Sequence, residues 1–268
     1  MATQDSTTIG RIRLPGGLSA RVFGILLGLV VWIGAASVFP NQLMPYPSEA
    51  LGLAWGLIQS GSAWTHLWAT IERTIWGFVG SMILGVAFGV LMGINNYGQK
   101  LSTPWVVVGL SIPAVAWAAI ATLIFGFSIL SPVMATVLTT YPYIAINVWK
   151  GVESIESDLV NMSKSFSVTR TRMLTRLILP SAAPFLFSAF RFGLAISWKI
   201  VTIAEIFASN SGVGYKLVQA YQLYQFELAW AWAVLFMIVI LLIEYLITKP
   251  LERRVFEYRR DADFDLLA

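Results

Sequence analysis

Hydrophobic positions along the chain fall into long unbroken runs. Six are long enough to cross a bilayer, which takes about 20 apolar residues: Val22–Phe39, Ile75–Ile94, Pro104–Phe127, Leu130–Val148, Ala182–Ala208 and Leu228–Ile247. Only "GFSILSP" separates the third from the fourth, so that connection is short. One polar interval stands out, the stretch "SDLVNMSKSFSVTRTRMLTRLILPSAAP" between the fourth and fifth runs. Within it Leu159, Met162 and Phe166 recur at three and four, the spacing of one helical face. Met173, Leu174, Leu177 and Ile178 form a second stripe, with Arg172, Thr175 and Arg176 on the opposite side. Ser165, Ser167 and Thr169 can turn and cap between them. The pattern predicts a short helix, a turn and a second helix ended at Pro180.

Composition agrees with a membrane chain. Only 12% of the 268 residues are charged, against about 25% in soluble domains. The expected organisation is an N-terminal cytoplasmic segment over 1–21, an all-α six-helix transmembrane domain over 22–248, and a cytoplasmic tail over 249–268. The polar loop occupies about 150–180. The first run lacks a small-residue cleavage signature and reads as a retained helix. Fourteen of the eighteen Lys and Arg residues fall on the side of the N-terminus, two (Arg73 and Lys216) on the other, and Arg191 and Lys199 within the fifth run. Positive residues concentrate on the cytoplasmic side, so both termini are expected inside. The basic residues answer to topology and lipid, and no nucleic-acid partner is expected.

Several chemistries are excluded. There is no cysteine for a disulfide or a thiolate site, and one histidine, His66, does not make a multi-histidine metal centre. No G-x-x-x-x-G-K-[ST] phosphate loop is present. No His or acidic cluster of a membrane-embedded enzyme is present either. A secondary transporter or channel would also be polytopic. That class more often shows internal repeats and broken helices with paired charges, and no convincing repeat relates the halves here.

Ionisable residues inside a span face protein or water. The fifth run holds Arg191, Lys199 and Glu205. Arg191 is near enough to the cytoplasmic end to snorkel. Lys199 and Glu205, six apart, point about 120° away from each other. Lys199 suits either an anion pathway or a pair with an acid on a neighbouring helix. Glu205 suits either the pathway or an anchor for the following "SNSGVGY" loop, and Arg73 and Glu244 stand near span ends. Trp117 and Trp198 are candidate walls of a path or packing residues. Gly77, Ser81, Gly85, Gly89 and Gly93 recur every four residues, a small-residue face that admits another backbone closely, within the subunit or at a dimer seam.

The polar loop resembles the EAA loop of ABC-importer permeases, whose E-A-A triplet, Gly and I-x-L-P end fall here on Asn161, Met162 and Ser163, then Ser167, then Leu177, Leu179 and Pro180. The spacing and the "LP" end are kept; the triplet and the glycine are not. "LMPYPSEAL", "ATIERTIWGFVGSMILGVAFGVLMG", "SIPAVAWAAIATLIFGF", "AISWKIVTIAEIF" and "SNSGVGYKL" resemble, in order, segments of the type I permeases of the nitrate, sulfonate, taurine and bicarbonate branch. The resemblance implies a transport subunit in a bacterial inner membrane, working as a homodimer with two cytoplasmic ATPase subunits and an external solute-binding protein. It implies that ATP and Mg belong to the ATPase and that this chain binds no cofactor. Asp158, Leu159, Met162, Ser163, Lys164, Phe166, Ser167, Arg170 and Pro180 are then the ATPase-coupling residues. Trp117, Trp198, Lys199 and Glu205 are then the candidate path. Without that resemblance, the loop fits equally an interfacial helix pair on lipid headgroups.

Overall fold

The computed structural model describes residues 17–155, 162, 165–166, 168–173, 176 and 179–250. These form α1 (Gly17–Val38), α2 (Pro47–Gln59), α3 (Ser62–Ile94), α4 (Asn96–Ser111), α5 (Ala114–Phe125), α6 (Leu130–Glu153), the single turn α7 (Arg170–Met173), α8 (Leu179–Ala208), α9 (Val213–Gln222) and α10 (Phe226–Ile243). A wider helical turn, Glu244–Thr248, extends α10. No strand occurs among the described residues.

Among the described residues, length and apolarity alone do not mark all six expected spans. Ser62–Ile94, Ser181–Ala208 and Phe226–Leu246 are each long and apolar enough to cross a membrane, and α4 with α5 makes a fourth only as a bent pair. The expected third run is therefore not one helix: α4 and α5 meet at 98°. Pro113 causes the break. It lacks an N–H and pushes the preceding residue out of helical geometry, and Ile112 sits at φ −84°, ψ 122°. The second run also starts earlier than expected, because α3 begins at Ser62 rather than Ile75. At 1.5 Å per residue its 33 residues reach about 50 Å, more than a bilayer core of about 30 Å. Two further helices, α2 and α9, were hidden by their shortness. Pro47 opens α2, and the Glu49 carboxylate accepts the Tyr46 N–H at 3.0 Å.

The organising element is α6, which packs against α3, α8, α5 and α4. It is less apolar than a lipid-facing helix because protein covers it. Its buried hydroxyls bond back to their own helix: Thr136 to the Pro132 carbonyl at 2.8 Å and Thr139 to that of Ala135 at 2.7 Å. The Tyr141 hydroxyl donates to the Trp105 carbonyl at 2.6 Å and ties α6 to α4. All five small residues of α3 lie along this core. Cβ atoms added at Gly77, Gly85, Gly89 and Gly93 would meet Thr136, Ile144, Val148 and Val152 of α6, and the Ser81 hydroxyl bonds to the Gly77 carbonyl beside them. The stripe is thus consumed within the subunit. By contrast α1 is largely exposed, held by its Trp32 indole on the Pro45 carbonyl at 3.1 Å and by a Trp32–Trp230 ring contact.

Candidate functional site

Three places hold the residues singled out above. The first is a buried polar junction at the end of α8. Glu205 is fully buried. Arg73 donates to it from Nη1 at 2.7 Å, the Gly214 N–H at 3.0 Å, and the Thr70 hydroxyl lies within 3.0 Å of both carboxylate oxygens. The same arginine donates to the Ser211 carbonyl and to the Ser211 hydroxyl, each at 2.7 Å. Thr70 also accepts the Val213 N–H at 2.8 Å, and His66 Nδ1 accepts the Gly212 N–H at 3.1 Å. That last bond fixes the neutral tautomer with its proton on Nε2. Gly212 has φ 107°, and a Cβ there would collide with the Glu205 carboxylate, so the loop requires glycine at this point.

Two helices, the four-residue loop 209–212 and the first turn of α9 therefore converge on one carboxylate. Its charge is compensated by one guanidinium and spread over several donors, the condition under which a buried ion is tolerated. Arg73 and Glu205 were legible as singletons. His66, Thr70 and Ser211 were missed. The spacing of 66, 70 and 73 places them on one helix face, which is the signal that would have found them.

The second place is the polar loop between α6 and α8. Asn161, Asp158, Leu159, Ser163, Lys164 and Ser167 lie outside the described residues, as do Leu174, Thr175, Leu177 and Ile178. Met162 and Phe166 are described, and both are exposed, Phe166 to 75%. The Phe166 N–H donates to the Met162 carbonyl at 3.1 Å, which closes one helical turn and sets the two side chains on one side. Arg170 opens α7 and Pro180 lies in the first turn of α8.

The third place is the middle of α8. Trp198 is buried and packs edge-on against Phe236 of α10. Trp117 packs on the small-residue cluster of Ala118, Ala121, Ala135 and Ala204, with its indole N–H unpaired among the described residues. Lys199 is exposed and has no ion pair or hydrogen bond among the described residues. Arg191 donates to Glu244 at 3.0 Å, joining α8 to the end of α10.

The family described as "Binding-protein-dependent transport system inner membrane component" matches residues 81–257. A putative aliphatic sulfonates transport permease of Bacillus subtilis is 27% identical over 241 residues, covering 88% of this chain and 87% of the relative. A bicarbonate transport system permease of Synechococcus elongatus is 27% identical over 218 residues, covering 77% and 78%. Among solved structures, an inward-facing methionine ABC transporter superposes with a TM-score of 0.62 at 20% identity, over 70% of this chain and 93% of that one.

Proposed function

The chain belongs to the binding-protein-dependent transport system inner membrane components, and from that premise we propose that it forms the translocation path for a small anion delivered by an external binding protein. It is an ABC-importer permease, a transport subunit rather than an enzyme, with the type I fold. ATP and Mg would be handled by a partner ATPase. Sulfonates and bicarbonate are named for two relatives, which supports a small anionic cargo. Both termini would lie in the cytoplasm, as the distribution of Lys and Arg indicates.

The observation that carries the coupling role is the exposed pair Met162 and Phe166 on one helical turn. Exposed large apolar side chains grouped in this way mark an interaction site. They would seat in an apolar groove of the ATPase, flanked by Asp158, Leu159, Ser163, Lys164, Ser167, Arg170 and Pro180. Phe166→Asp tests this. A carboxylate in such a groove costs about 3 kcal/mol, enough to weaken association roughly a hundredfold. The variant is expected to reach the membrane and to lose its ATPase on affinity purification. Recovery of a full complex with normal ATP hydrolysis would remove docking through this face.

Assembly is testable separately. One chain offers one coupling segment, so a machine with two ATPases needs two copies, and twofold symmetry is the commonest arrangement of such a pair. Native mass spectrometry is expected to give two permeases with two ATPases. A one-to-one complex, or an obligatory second permease of different sequence, would exclude the homodimer. Mass spectrometry of the ligand retained by the purified external binding protein identifies the cargo.

A further inference from the structure

His66 is the only histidine in the chain and lies half-buried in the first turns of α3. Its ring is fixed from three sides. The Gly212 N–H donates to Nδ1, the Tyr215 ring stacks with it at 6.3 Å between centroids, and the Trp232 ring meets it edge-on at 5.6 Å. Gly212 caps α9, and the next two backbone donors go to Thr70 and Glu205. Three successive N–H groups at the start of α9 are thus satisfied by three side chains. Thr70 does not titrate, and Glu205 is committed to Arg73. Only the imidazole changes its hydrogen-bonding sense near neutral pH. An imidazolium carries N–H on both nitrogens and accepts nothing. A proton on Nδ1 therefore sets donor against donor, and the Gly212 N–H loses its partner. The surroundings oppose that proton as well. Arg73 of α3 and Lys216 of α9 both act on the ring with positive charge. From α8 comes only Glu205, and α10 presents the uncharged Trp232. The acid of α2, Glu49, is engaged with the Tyr46 N–H and Asn41 at the other end of that helix. No uncommitted acid faces His66 among the described residues.

From these features we infer that His66 is an acid-release latch: neutral, it holds the loop 209–212 and the start of α9 against α3; protonated at Nδ1, it lets them go. The latched form holds one proton fewer than the released form, whose free imidazole takes it up through the ordinary histidine range, about pH 6.5. Closure is complete above that range and is lost as pH falls below it. The placement of the loop on the outer face, where an acidic medium would reach it, rests on the importer reading. The latch itself is read on the permease alone, without the ATPase, so the two fail by different measurements.

The test uses the full chain in nanodiscs, purified through a tag that contains no histidine. Asn210 is exposed in the loop and the chain has no cysteine, so Asn210→Cys takes a single spin label there. The label is expected to be restrained at about pH 7.5 and mobile at about pH 5. His66→Asn places an amide oxygen where Nδ1 stood, an acceptor that does not titrate. In that background the label should stay restrained at both values. Over the same interval the Tm of the parent should fall by about 2–4 °C more than that of His66→Asn, the share of one hydrogen bond. Nitrogen NMR of the chain labelled at its one histidine reads the proton directly. Nδ1 should be unprotonated at the higher pH, and its protonation should coincide with release of the label. This measurement needs no variant at position 66 and decides the matter should His66→Asn fail to fold. An equal pH response in His66→Asn overturns the latch. So does a ring that protonates while the label stays restrained, or one that stays neutral down to about pH 5.

Discussion

Arg73→Met should be among the most damaging single substitutions in this chain. It strips the buried Glu205 carboxylate of its only ion-pair partner among the described residues, a contact of 2.7 Å between two side chains that are almost wholly out of solvent. Removing one member of such a pair costs about 3–5 kcal/mol, because the remaining charge is left uncompensated. The Thr70 hydroxyl and the Gly214 N–H stay in place and moderate the loss. For a chain of this size the cost corresponds to a fall in Tm of roughly 6–20 °C. Arg73→Met combined with Glu205→Leu removes both charges and should recover most of it, since replacing a whole buried pair by apolar side chains is close to neutral. Thermal unfolding of the four proteins in detergent gives the coupling energy directly. Additive losses in the double variant would show that the pair is not what holds α3 to α8.

Gly89→Leu should be comparably severe, for a steric reason. A Cβ at Gly89 would stand 2.6 Å from both the Ala145 carbonyl oxygen and the Val148 Cβ. One neighbour is backbone and does not yield. Leucine improves helix propensity over glycine by about 1 kcal/mol. Overpacking by even a methylene or two costs about 1–3 kcal/mol, and leucine adds four carbons. The steric term wins, and α3 must separate from α6 along its length. Gly56→Leu on α2 is the control, because nothing lies within 4 Å of a Cβ there. A monodisperse Gly89→Leu protein with the Tm of the Gly56→Leu control would show that the seam yields.

What the sequence made legible follows from how local each feature is. Apolar runs are local, so α3, α8 and α10 could be read directly, and the spacing from Gly77 to Gly93 already described a face that needs close company. Pro113 was visible, but it lies in an uninterrupted apolar run, and hydrophobicity alone does not register a bend. The polar content of α6 lowered its apolar signal although it is the most enclosed helix, since threonine hydroxyls satisfied by their own helix do not need water. The junction around Glu205 was least legible. Its members are separated by up to 146 residues along the chain, and nothing in a single sequence says that His66 and Gly212 meet.

The junction around Glu205 has a mechanical side. From Pro184 to Ala208, α8 runs without a further proline, a stiff rod of about 36 Å. Its far end is bolted by Glu205 to α3 and to the loop that launches α9. Its near end emerges beside Pro180, on the side of the polar loop. A push on α9 would therefore load the rod at one end and be delivered at the other, along a helix with no further proline to absorb it. Loosening the bolt would leave both ends intact and uncouple their movements.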